Sequence, residues 1–251
     1  MVVMAYGDSP FLGDCLASLR DQTVPGPIVV TTSTPSSYID ATAGRFDAPV
    51  IVNPSPTGIA ADFNFALVAT SARRTTLAHQ DDVYYPRFAE RSLALLDRTP
   101  DAVACFTGYD EIDDHGAVTA SKVSVVKHLL DRVTLGGGAV VRPRRLRAYL
   151  SLGNALPCSS VTFDRARLPD FRFSDAYRSN LDWDAWLRLA RAGLTLVRAP
   201  EALVGRRHNP MTATSRLIRD GVRQREDLAM FRRLWPGPIA EAIAWIYRAS
   251  Y

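Results

Sequence analysis

The sequence predicts an α/β fold built on a doubly wound, mostly parallel central sheet with helices on both faces and a helical tail. Three observations carry this. Short apolar runs alternate with amphipathic stretches up to about residue 110, the rhythm of successive βαβ units. The first run, residues 2–6, is apolar along its whole length, as a strand covered on both faces requires, and the run at 75–78 is β-branched and apolar. The chain has 251 residues, of which 47% are hydrophobic, enough core for one large α/β domain or two small ones.

The elements follow in order. Residues 2–6 form a first strand, Gly7-Asp8 turns, and Ser9-Pro10 supplies an N-cap and a proline at the first helical position. Phe11, Leu12, Cys15, Leu16 and Leu19 make the apolar stripe of that helix. Residues 27–30 are a second strand, ending in the hydroxyl-rich Thr31-Thr32-Ser33-Thr34, and residues 49–52 a third, ending at Asn53. Thr57 caps a helix whose apolar face is Ile59, Phe63, Ala66 and Leu67, with Asp62 and Asn64 near its start. Residues 75–78 are a fourth, buried strand, 88–96 a helix and 103–106 a fifth strand.

The second half is less regular. Residues 110–116 read as an acidic, solvated turn, and Gly136-Gly137-Gly138 lacks the strand-to-helix context of a nucleotide loop. Residues 159–163, 194–197 and 202–204 are strand-like, and a helix opens at Asn180 and ends near Gly193, its C-cap. From Leu217 the tail is helical, broken at Pro236-Gly237-Pro238. The chain thus divides into residues 1–215, with halves 1–110 and 111–215, and a helical extension over 216–251.

Composition narrows the function. No apolar run is long enough for a membrane span and no signal-peptide pattern opens the chain. At most peripheral membrane contact is expected. Cys15, Cys105 and Cys158 are few, odd in number and not spaced as metal ligands, which suits a reducing, cytoplasmic location. The four histidines are scattered, so no zinc cluster is expected. The net charge of +4 hides an asymmetry: residues 1–127 carry 9 basic and 15 acidic side chains, residues 128–251 carry 21 and 11. A basic half beside an acidic one suits a phosphate-bearing substrate. No nucleic-acid recognition motif accompanies the basic half. A GxGxxG turn after the first strand and a Walker lysine loop are both missing, against dinucleotide oxidoreductases and P-loop enzymes.

The chemistry centres on His79-Gln80-Asp81-Asp82, where the fourth strand breaks off. Two adjacent carboxylates at the end of a buried strand raise each other's pKa unless a positive charge sits there. A divalent cation bound through oxygens and completed by substrate phosphates is the usual partner, and open α/β sheets bind ligands at these strand ends. The plain alternative is a solvated Asp-Asp turn. Asp182, at a later helix start, reads either as a catalytic carboxylate or as an N-cap. Asp184 is four residues before Arg188 and reads as its surface pair. Trp183 and Trp186 read as core, and His208 alone reads as a loop histidine.

Taken in order, VVMAYGDSPFLGDCLASLRDQT, GIAADFNFAL, HQDDVYYPRF, LDWDAWLRLARAG and RRHNPMTAT resemble the family-two glycosyltransferases of GT-A fold, bacterial and inverting. The resemblance covers nearly the whole chain to about residue 215. It implies a nucleotide-diphospho-sugar donor, a divalent cation (Mn2+ or Mg2+), and an acceptor hydroxyl on a glycan, a lipid-linked molecule or a small molecule. It implies that Asp82 ligates the metal directly and that His208 is the later metal ligand. Asp81 then touches ribose or a metal-bound water, and Arg206 or Arg207 meets phosphate. Ala5, Tyr6, Thr31, Thr32, Asp62, Asn64 and Gln80 fall in the donor-binding set, and Asp182 becomes the general base of a single displacement. The chain departs from the family's pattern at Gly7, at Thr31-Thr32-Ser33 and at Asp62-Phe63-Asn64, all in the nucleobase pocket, and at Leu181, where the family usually has Glu. Uridine or thymidine diphospho-sugars are the expected donors. Two other readings compete: a sugar-nucleotide nucleotidyltransferase, which needs a Gly-rich basic signature that Gly7-Asp8-Ser9-Pro10 does not supply, and a non-catalytic glycan- or nucleotide-binding module.

Overall fold

Parallel pairing of the first apolar runs builds the frame of the computed structural model, which describes residues 1–55, 58–119, 134–135, 138–207 and 217–248. β1 (Val2–Ala5) lies between β2 (Val29–Thr32) and β4 (Arg74–His79), and β2 also pairs with β3 (Val50–Val52), all in parallel. Helix α1 (Leu12–Arg20) connects β1 to β2, and α2 (Ser37–Gly44) connects β2 to β3. Both pack on one face of the sheet: Leu12, Leu16 and Ile39 share a buried cluster with Val3, Val30 and Ala78. α3 (Ile59–Val68) returns on the other face, where Ala66 and Leu67 pack with Val2 and Leu77. The α2 helix does not stand out in the hydrophobic pattern, because it is short and its apolar residues form only a weak stripe. Its start is set by Ser36, whose Oγ accepts from the Ile39 N–H at 3.2 Å.

The remaining elements are β5 (Val83–Tyr84), α4 (Phe88–Arg98), β6 (Ala102–Ile112), β7 (Val140–Val141), α5 (Pro143–Leu150), a 3-10 turn at Cys158–Ser160, β8 (Val161–Asp164), α6 (Leu181–Arg191), β9 (Thr195–Arg207), α7 (Val222–Arg232) and α8 (Gly237–Tyr247). The strand order is β3-β2-β1-β4-β8-β6-β9-β5, with β7 also on β9. β8 enters antiparallel between β4 and β6, and β5 and β7 run antiparallel to β9. β6 and β9 pair in parallel, so β1, β2, β3, β4, β6 and β9 all point one way.

Two expectations about the second half are corrected. The acidic stretch expected as a turn from residue 110 begins as strand: Asp110, Glu111 and Ile112 pair in register with Gly205, Arg206 and Arg207. The turn is confined to the residues after Ile112, because pairing with β9 satisfies the backbone before it. The two strand-like runs expected at 194–197 and 202–204 are one strand, β9, continuous through an irregularity near Pro200. Gly108 makes that irregularity possible, since a Cβ there would lie 2.8 Å from the carbonyl oxygens of Pro200 and Glu201.

The helices at the chain's end join the main core. Met230, Phe231, Ala240 and Ala244 are buried with Trp183 and Trp186 of α6. Trp183 meets the Phe231 ring edge-on at 5.0 Å and the Tyr247 ring at 5.9 Å. Trp183 and Trp186 are fully buried, donating to the Leu150 and Leu156 carbonyls. Asp184, expected as a surface partner of Arg188, is buried. It bridges Arg188 at 2.7 Å and Arg233, beyond α7, at 2.5 Å. Gly153 sits at φ 135°, and a Cβ there would run into the Tyr247 ring. Gly153→Ala should therefore lower stability by roughly 1–3 kcal/mol. Thermal unfolding reads this directly; an unchanged Tm would mean that α8 is not seated against this turn. No helix among the described residues is long and apolar enough to cross a membrane.

Candidate functional site

The sheet order reverses between β1 and β4, and a cleft of ≈ 1330 Å³ opens at their carboxyl ends. Its wall includes Ala5, Tyr6, Thr31, Thr32, Asp62, Asn64, Gln80, Asp81, Asp82, Asp182, Arg206 and Arg207, which come from strands and helices far apart in the chain. His208 lies outside the described residues, as do Thr57, Gly136 and Gly137.

The acidic pair sits where β4 ends. Gln80 ties β4 to β1, its Oε1 accepting from the Tyr6 N–H at 3.0 Å and its Nε2 donating to the Tyr6 carbonyl at 2.8 Å. Asp81 Oδ1 accepts from Ser9 Oγ at 2.7 Å. Burial pushes the Asp81 carboxyl above its ordinary range, the Ser9 bond opposes this, and the Asp82 charge adds to it. Asp82 is buried; its Oδ1 accepts from the Arg207 N–H at 3.1 Å. Its Oδ2 is also buried and has no hydrogen-bond partner among the described residues. His79 Nε2 is in the same condition, with the ring edge-on to Phe63 at 5.7 Å. Among the described residues no three His, Cys, Asp or Glu side chains converge on one point.

Two of the expected ligand residues, Arg207 and Asn64, line the cleft with their side chains engaged by protein partners. The Arg207 guanidinium is buried over the Phe11 ring at 4.2 Å and donates to the Asp81 carbonyl at 3.1 Å and the Asp113 carbonyl at 2.7 Å. It braces the acidic loop and has little capacity left for phosphate, whereas its half-buried neighbour Arg206 lines the cleft. The Asn64 amide is engaged by loop backbone, donating to the Phe173 carbonyl at 2.9 Å and accepting from its N–H at 2.7 Å. Asp62 is held by Ser33 at 3.0 Å and Asn53 at 2.8 Å, tying α3 to the ends of β2 and β3. Thr31 and Thr32 are buried in the floor beneath it, and Tyr6 is exposed at the mouth.

Across the cleft, Asp182 lies in the first turn of α6, not at its cap, which is Asn180. Its Oδ1 accepts from the Trp183 N–H at 2.7 Å. Burial raises its carboxyl above the ordinary range, and the Trp183 N–H, Arg223, Arg206 and the Asn154 amide work against that rise. Asn180 spends nothing on capping; it donates to Asp227 of α7 at 2.7 Å.

Neither a protein-family model nor a curated protein sequence matches the chain. Solved structures do match in fold. The structure of S. aureus TarS 1–349 in complex with UDP-GlcNAc superimposes with a TM-score of 0.64 at 12% identity, over 85% of this chain and 59% of that one. The mannosyltransferase PcManGT from Pyrobaculum calidifontis, in complex with GDP-Man and Mn2+, gives 0.63 at 15% identity, over 99% and 69%. Glucosyl-3-phosphoglycerate synthase from Mycobacterium tuberculosis gives 0.56 at 17% identity, over 93% and 75%. The fold is of GT-A type. This chain thus spans 59% of TarS 1–349, less than two thirds of its length.

Within the GT-A-type fold, several cleft residues escaped the sequence reading. Asn154 reaches Asp182 from the loop after α5. Arg223 of α7 and Tyr247 of α8 line the same wall. Glu226 accepts from the N–H groups of Arg178, Ser179 and Asn180 at 2.8, 2.8 and 3.0 Å, fixing the backbone that leads into α6. One signal was present: Arg223, Glu226 and Asp227 stand at i, i+3 and i+4, one face of a helix. Its direction toward the cleft depends on tertiary packing.

Proposed function

We propose that the protein transfers a sugar from a nucleotide-diphospho-sugar to an acceptor hydroxyl, with a divalent cation and inversion at the anomeric carbon. One observation carries the reading: a single cleft holds a buried carboxylate oxygen without a partner, Asp82 Oδ2, on one wall and the half-buried carboxyl of Asp182 on the other. The UDP-GlcNAc, GDP-Man and Mn2+ named for the structural neighbours support the donor class and the cation.

The residues fit a hard cation. An orphaned carboxylate oxygen is costly without a positive partner, and Asp82 Oδ2 would provide the direct ligand. Asp81 would hold ribose or a metal-bound water, and His208 would add a later ligand. Mn2+ or Mg2+ there would offset the charge that develops on a departing diphosphate. Arg206 would meet donor phosphate, while Arg207 and Ser9 hold the acidic loop in place. Ala5, Tyr6, Thr31, Thr32 and Asp62 would frame the nucleoside, with uridine or thymidine the preferred base. Asp182 would take the acceptor proton as the hydroxyl oxygen bonds to the anomeric carbon and the bond to diphosphate breaks. One displacement inverts that carbon.

A thermal-shift panel of nucleoside diphosphates with and without Mn2+ tests the reading. Uridine or thymidine diphosphate with Mn2+ should stabilise the protein by about 2.7 kcal/mol at 100 times Kd. No shift with any nucleotide, metal present, rejects the donor class. Anomeric configuration of the product, read by NMR, checks inversion.

A further inference from the structure

The helices at the end of the chain deliver a guanidinium to the cleft. Arg223 lies near the start of α7 and Tyr247 at the end of α8, and both line the cavity. The Arg223 side chain is only 17% exposed, with its Nε 3.9 Å from Asp227 Oδ2. Asp227 also holds Asn180 at the shorter distance of 2.7 Å. Arg223 further interacts with Asp182 and with the Tyr247 hydroxyl. A buried cation is costly unless charge balances it, and here the balance is shared between Asp227 behind it and Asp182 in the cleft. Arg178 stands exposed on the same rim. If Asp182 takes a proton, one of the charges facing Arg223 vanishes while the guanidinium stays. A substrate that carries its own anion restores the balance at that step, and a guanidinium fork matches phosphate or carboxylate oxygens.

We propose, resting on the reading of Asp182 as the acceptor-side base, that the acceptor is anionic. It carries a phosphate or carboxylate near its reacting hydroxyl, and Arg223 binds that group with Arg178 at the rim. The C-terminal helices are then part of the acceptor site.

The test uses the whole chain saturated with uridine diphosphate and Mn2+, titrated calorimetrically with glycerol, glycerol 3-phosphate and glycerate. At least one anion should bind about tenfold or more tightly than glycerol, the scale of a charge-assisted hydrogen bond. The two anionic arms separate phosphate from carboxylate recognition. Arg223→Gln should erase the preference, and Arg223→Lys should keep part of it, because the charge survives without the fork. Arg178→Gln should weaken it by a smaller factor at an unchanged melting temperature. That exposed variant decides the matter if Arg223→Gln does not fold. Equal or absent binding of all three compounds, or a preference that the arginine variants leave intact, overturns the proposal. Failure of uridine diphosphate to bind counts against the donor reading alone, and the same titrations without nucleotide still decide the anion preference.

Discussion

Asp182→Asn should lower turnover by about 10²–10⁴-fold, the usual contribution of a positioned general base. Asparagine keeps an Oδ1 to accept the Trp183 N–H, now 2.7 Å away, so the helix start stays intact. Stability should change by no more than about 1 kcal/mol, and metal-supported nucleotide binding should be unaffected. The parent protein should also show the base in its pH profile. A base works ionised, and burial holds the Asp182 carboxyl above its ordinary range. Activity should therefore begin to fall, on acidification, at a higher pH than an ordinary aspartate would give, and the residual activity of the Asn variant should lack that limb. Normal turnover in Asp182→Asn would remove Asp182 from the chemistry. Asp184 does not stand in reserve, because its carboxylate is buried between Arg188 and Arg233.

The second large effect is expected at Asp82. Asp82→Asn keeps an oxygen for the Arg207 N–H but removes the charge at the orphaned position. Mn2+-dependent nucleoside-diphosphate affinity should fall by roughly 10–100-fold, the equivalent of losing a contact to a charged group worth about 1.5–3 kcal/mol. Asp82→Ala should lose the same affinity and, in addition, about 1–3 kcal/mol of stability, because a buried backbone N–H of Arg207 loses its acceptor. Titration of Mn2+ against nucleotide-bound parent and Asn variant separates the cases; overlaying curves would make Asp82 a purely structural brace.

The acidic pair and the two residues Arg207 and Asn64 differ in how much of their surroundings local sequence states. Asp81-Asp82 drew attention because a local pattern, a buried strand ending in adjacent charges, already implies an energetic problem. Arg207 and Asn64 drew attention only by position, and their side chains turn out to be engaged by carbonyls and by the Phe173 backbone. Hydrogen-bond partners separated by 94 or 109 positions leave no trace in local pattern. The same holds for Arg223, whose place beside Asp182 depends on how α7 packs against α6.

By itself the sequence determined the parallel half of the sheet, the helices α1 and α3 that cross over it and the location of the acidic pair. Each of those follows from short-range periodicity and from the end of an apolar run. Only the tertiary structure decided that β8 enters antiparallel beside β4, that residues 195–207 form one strand, and that the C-terminal helices complete the core and the cleft wall. The physical reason is common to all three. Apolar periodicity states that a face must be buried; which other face buries it is settled by packing across the whole chain, as when Trp183 closes against Phe231 and Tyr247.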